Sequence, residues 1–238
     1  MRSNLLLCAC AATLLPTVPA FGQERDSHPF TETFLVDEKD LASTGTNRFF
    51  VLEPGYQLVL ESADEEDEKE VLVITVLDET KTVGKVETRV VEERETVGGE
   101  LKEVSRNFFA ICRRTNSVYY FGEEVEIYKD GKVVRHEGEW LAGEDGARFG
   151  LIMPGLPLLG ARHYQEHAPE RAMDRAEIVS LSETLETPAG TFENCLKVLE
   201  TTPLSPRERE YKLYAPGIGL IQDEDLLLVR HGKVEDGK

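Results

Sequence analysis

Two dipeptides, Gly98-Gly99 and Asp130-Gly131, do most to limit what this chain can fold into. The first falls between extended runs over 85–96 and 101–112, the second between 118–128 and 132–137. Both supply the positive φ that a tight hairpin needs. Similar punctuation recurs at Pro54-Gly55, between 48–52 and 56–60, and at Pro188-Ala189-Gly190, between 176–186 and 191–201. The continuous apolar run 71–77, rich in Val and Ile, reads as a strand covered on both faces. Further short runs at 208–214, 218–222 and 225–230 extend the series. About ten strands with short links predict a mainly β fold, an antiparallel meander curled into an open or closed barrel. The expected division is a loose lead-in over 23–46, a single β domain over 47–231 and a charged tail over 232–238.

Charge limits the partners. Lys and Arg number 27 against 45 Asp and Glu, a net charge of −18, which argues against nucleic acid and against an anionic membrane surface. Solubility is the plainest use of such a charge. Residues 1–22 read as a signal peptide: Arg2, an apolar core from Leu5 to Leu15, and a small-x-small site at Ala20-Phe21-Gly22. Leu7-Cys8-Ala9-Cys10 offers a lipoprotein cleavage box as the alternative. No later run approaches the roughly 18 apolar residues of a membrane helix, so a periplasmic or secreted protein that is not integral to a membrane is expected. In an oxidising compartment the two remaining cysteines, Cys112 and Cys195, are expected to form one disulfide; two separately buried thiols are the alternative.

The acidic run from Ala63 to Glu68 lacks the glycine and alternating oxygen ligands of a calcium loop and reads as a solvated turn. Between 143 and 161 five glycines and two prolines follow no period, which predicts a long irregular loop. Trp140, Phe149, Leu151, Met153, Leu156 and Leu158 lie in or beside it, either plugging the barrel or walling a cavity. In the second case the ligand is largely apolar, with Tyr164 and Glu166 as polar contacts. Residues 162–172 have room for a turn or two of helix, limited by Pro169. Within them His163-Tyr164-Gln165-Glu166-His167 matches the H-x-x-E-H string, the basis of an alternative reading as a zinc hydrolase with His163 and His167 as ligands. That chemistry requires both histidines on one helix face. No G-x-S-x-G elbow or P-loop string occurs, and no cofactor is implied. Glu123 stands in register with Tyr119, Phe121, Val125 and Ile127, which puts a carboxylate on an apolar face. Glu123, Glu166 and Asp174 are candidates for paired-carboxylate glycoside chemistry, or simply surface acids.

Tyr120-Phe121-Gly122-Glu123, Trp140 with Gly143, Met153-Pro154-Gly155, Gln165-Glu166 and Lys212-x-Tyr214-Ala215-Pro216-Gly217-x-Gly219 together resemble a family of exported bacterial β-rich proteins with no assigned activity. The resemblance covers most of the chain from about Phe108 onward. It implies a curled antiparallel sheet, loosely similar to periplasmic lipoprotein carriers. The expectation is therefore an exported, non-catalytic binding protein for a hydrophobic small molecule or lipid-like ligand. Trp140, Met153, Tyr164, Glu166 and Glu123 are its candidate contacts. An envelope interaction or scaffold protein using an edge strand is the other alternative.

Overall fold

A computed structural model describes residues 29–62 and 68–234. The segment expected to be a signal peptide, most of the acidic run at 63–68 and the end of the charged tail therefore lie outside the described residues. The chain begins with a 3-10 turn at Glu38–Asp40, then β1 (Leu41–Ala42), β2 (Gly45–Asn47), β3 (Phe50–Leu52) and β4 (Tyr56–Ser62). Long strands follow: β5 (Glu70–Val83), β6 (Val86–Val97), β7 (Glu100–Cys112) and β8 (Val118–Lys129). Next come β9 (Lys132–His136), β10 (Trp140–Leu141), β11 (Arg148–Met153), β12 (Arg162–Tyr164) and β13 (Glu166–His167). The last five are β14 (Arg175–Thr187), β15 (Gly190–Thr201), β16 (Glu210–Ala215), β17 (Gly219–Asp223) and β18 (Leu226–Lys233).

Among the described residues every pairing between two of these strands is antiparallel, and both glycine dipeptides form the expected hairpins, with φ of 60° and 81° at Gly98 and Gly99. The main sheet runs β12-β14-β15-β16-β17-β18-β4-β5-β6-β7-β8-β11-β13. Its two ends, β12 and β13, are consecutive pieces of one segment, so the sheet comes back on itself as a nearly closed barrel. Gln165 is the residue between them, where the chain leaves β14 and takes up β11. Closure demands close approach: a Cβ on Gly150 of β11 would overlap the Gln165 carbonyl.

Alternation then divides the side chains. Leu58, Leu60, Val76, Val91, Phe109, Tyr120, Leu196, Val198 and Tyr214 point into one large cluster inside the curl. Val83, Val86, Val90, Phe108, Ala110, Tyr119 and Phe121 form a second cluster on the other face of β5–β8. Phe34 and Val36 from the amino-terminal segment cover that face, and β1 pairs with β7. The outer apolar face needs a cover, and these residues supply it.

Four expectations change. The segment 143–161 is not one irregular loop, since β11 pairs with β8 on one side and β13 on the other. Residues 162–172 form strand and turn instead of helix; Thr31 pairs with the edge at His163, and the carbonyl of Ala168 accepts from Arg171 and Ala172 in a tight turn around Pro169. Cys112 and Cys195 are free, buried thiols: Cys112 belongs to the outer cluster and Cys195 to the inner one. Finally, Glu123 does not share a face with Phe121. Asn107 pairs with Glu123 while Phe109 pairs with Tyr120, so β8 carries one extra residue there. Among the described residues no helix is long and apolar enough to cross a membrane.

Candidate binding cavity

The bulge in β8 creates the site. Gly122 takes φ 143°, and a Cβ there would overlap the carbonyl of Trp140 on the adjoining β10. With that extra residue accommodated, Tyr120 and Glu123 face the same interior, where Glu123 Oε2 accepts from the Tyr120 hydroxyl at 3.1 Å. The same hydroxyl bonds Asn107 of β7.

These residues line a cavity of about 280 Å³ inside the curled sheet. One part of its wall is apolar and aromatic: Phe50, Tyr56, Leu58, Ile74, Phe109, Tyr120, Ile218 and Leu220. Phe109 meets Phe50 at 5.2 Å and Tyr120 at 4.7 Å between ring centroids, and Tyr56 donates to the Ile218 carbonyl at 2.9 Å. The other part is acidic: Glu93, Glu103, Glu123, Glu166, Asp174, Glu200 and Asp223, with Lys212 and Gln165. The division follows strand register. On β7 the inward positions run Glu103, Ser105, Asn107, Phe109, from polar to apolar along one strand.

Burial sets the electrostatics. It pushes the Glu93 and Glu123 carboxyls up to about 7, with neighbouring acids adding to the shift and, for Glu123, the Tyr120 hydroxyl opposing it. Glu166, 7% exposed, is held well above the ordinary carboxylate range by burial and by Glu123 and Asp174. Its Oε2 accepts from Trp140 Nε1 at 3.0 Å, and its carboxyl is hydrogen-bonded to that of Asp174. Burial opposes the charge of Lys212, but Glu200 and Asp223, at 3.2 and 3.4 Å from Nζ, hold its pKa well above normal.

The five candidate contacts separate. Glu123 and Glu166 line the cavity. Trp140 packs behind it, edge-on to Tyr120 at 5.3 Å. Met153 is buried in the core, and Tyr164 packs against Phe30 and His167. Asp174 joins Glu123 and Glu166, so the three acids considered for paired-carboxylate chemistry do meet, with Glu166 and Asp174 hydrogen-bonded to each other. From the glycine-rich segment only Ile152 reaches the cavity; Leu156 and Leu158 are exposed.

The H-x-x-E-H string lacks the helix its chemistry requires. His163 lies on β12 and His167 on β13. His163 is buried, with its pKa lowered to about 4 mainly by that burial. His167 Nε2 instead stands 2.8 Å from Arg148 and 3.3 Å from Glu32. Among the described residues no group of three or more His, Cys, Asp or Glu side chains is arranged to hold a metal ion.

Glu93, Glu103, Glu200 and Asp223 escaped the sequence reading, and Lys212 entered it only as part of a motif, not as a site residue. The available signal was an acid at inward period-two positions on successive strands, as in Val91-x-Glu93 and Glu103-x-Ser105-x-Asn107. Comparison with family models, with curated proteins and with solved structures gives no match.

Proposed function

We propose that this is an exported binding protein that holds a small amphipathic molecule inside the curled sheet. The observation that carries the reading is the two-part cavity wall, with aromatic and aliphatic side chains in one part and hydrogen-bonding carboxyl groups in the other. A wholly apolar ligand would leave buried acids without partners, which is costly; a wholly polar one would forgo the aromatic part. A lipid-like molecule with a short tail and a polar head satisfies both. Export rests on the amino-terminal sequence, Arg2 followed by an apolar core and Ala20-Phe21-Gly22.

The test is equilibrium binding of octanol, a neutral short-chain amphiphile, to the purified chain and to Ile74→Trp. Ile74 lines the apolar wall and is only partly buried, so a larger side chain fills the cavity. Saturable one-to-one binding that Ile74→Trp abolishes, with circular dichroism unchanged, supports the reading. Absence of saturable binding, or binding indifferent to Ile74→Trp, refutes it.

A further inference from the structure

We propose that the ligand's head group is a protonated amine, selected by the acidic part of the cavity over a hydroxyl or a carboxylate. This rests on the reading of the cavity as an amphipathic binding site and specifies what enters it.

The charges on the wall do not balance. Lys212 is the single cationic side chain lining the cavity among the described residues, and it is already engaged by Glu200 and Asp223 at 3.2 and 3.4 Å. Glu123 has Tyr120. The side-chain carboxyls of Glu93 and Glu103, on adjacent strands and lining the same cavity, make no hydrogen bond or ion pair among the described residues; Lys212 and Arg135 act on them only at longer range. Carboxylates in a partly dry site attract a cation far more strongly than they would in water.

A separate observation concerns Gln165 at the seam of the sheet. This cavity-lining residue is 3% exposed. Its Nε2 donates to Glu200 Oε1 at 2.6 Å, and its Oε1 is a buried acceptor with no donor. An unpaired buried acceptor calls for a donor group. A primary ammonium brings three donors and no acceptor, which suits a wall offering carboxylate and amide oxygens. A hydroxyl brings one donor, and a carboxylate brings only further negative charge.

The approach has the same character. A second cavity of about 300 Å³ shares Glu93, Glu103, Lys212 and Asp223 with the first and adds Glu70, Glu95 and Glu210. With its acids far outnumbering the one lysine, such a cleft concentrates cations and turns away anions. The apolar part of the inner cavity then calls for more than an inorganic cation, because only an organic tail fills it.

Calorimetric titration of the full chain with octylamine, octanol and octanoate at pH 8 separates the possibilities, because the three share one tail. The expected result is octylamine tighter than octanol by about tenfold or more, with no detectable octanoate binding. In Glu93→Gln/Glu103→Gln that preference shrinks toward unity. The single variant Glu103→Gln, at a position only partly buried, gives an intermediate preference and serves if the double variant fails to fold. Equal affinity for octylamine and octanol in the native chain overturns the amine assignment and leaves the amphipathic cavity standing. So does a preference unchanged in folded variants. Binding of none of the three overturns both.

Discussion

Trp140 Nε1 donates to Glu166 Oε2 at 3.0 Å, and both groups are buried. This bond joins β10, which pairs with β8, to β13, where the sheet comes back on itself. Trp140→Phe keeps an aromatic ring against Tyr120 but leaves the Glu166 oxygen without its donor. The variant should lose about 1–3 kcal/mol, read from urea unfolding. An unchanged midpoint would mean the bond adds nothing to closure.

Acidity should tune stability through Glu123. Its carboxyl, ordinarily near 4.5, is raised to about 7 by burial, so the folded chain keeps a proton that the unfolded chain releases. The folded state therefore gains most from this group at low pH, and the advantage is lost as pH rises between those two values. Glu93 acts in the same direction, whereas His163, lowered to about 4, favours folding above its ordinary 6.5 and less as pH falls. Lys212, Glu166, Asp174, Glu200, Asp223 and Glu103 share the site, so the variant difference is cleaner than the absolute profile. Glu123→Gln should match the native chain in acid and exceed it above pH 7 by about 1–3 kcal/mol. A difference independent of pH would contradict this.

Gly150 should tolerate no side chain. A Cβ there would overlap the Gln165 carbonyl at the seam, with the Glu166 amide beside it. Gly150→Ala should cost about 3 kcal/mol or more, seen as a lower thermal midpoint and faster amide exchange in β11 and β13. A native midpoint would show that the seam can open without loss.

Cys112 and Cys195 should resist modification in the folded chain, since both are free and buried. Alkylation followed by peptide mapping should label neither in buffer and both in denaturant without reductant. Recovery of a Cys112–Cys195 linked peptide would contradict the separation of the two thiols between the two clusters.

Much of the sheet was legible because turns and strand runs are local signals. Gly98-Gly99 and Asp130-Gly131 marked hairpins, and the long runs from Val71 to Cys112 became β5, β6 and β7. Glu123 was legible as a carboxylate out of place, but its face was not, because the bulge at Gly122 breaks the alternation that such a reading depends on. The strand β11 was hidden by the glycines and prolines around it, although Arg148–Met153 itself contains one glycine and no proline. The rest of the charged wall, Glu93, Glu103, Glu200, Lys212 and Asp223, comes from two groups of consecutive strands, β6 with β7 and β15 to β17, that lie far apart in sequence. Only closure of the sheet brings them together, and a long-range pairing of that kind leaves no mark on any one segment.

The most direct measurement of the central claim is a backbone amide NMR titration of the chain with octanol. Saturable shift changes at Phe50, Ile74, Phe109, Tyr120 and Ile218, which line the apolar wall, are the expected outcome. Changes confined to the exposed leucines at 156, 158 and 159, or no saturable change anywhere, would contradict a ligand held inside the sheet.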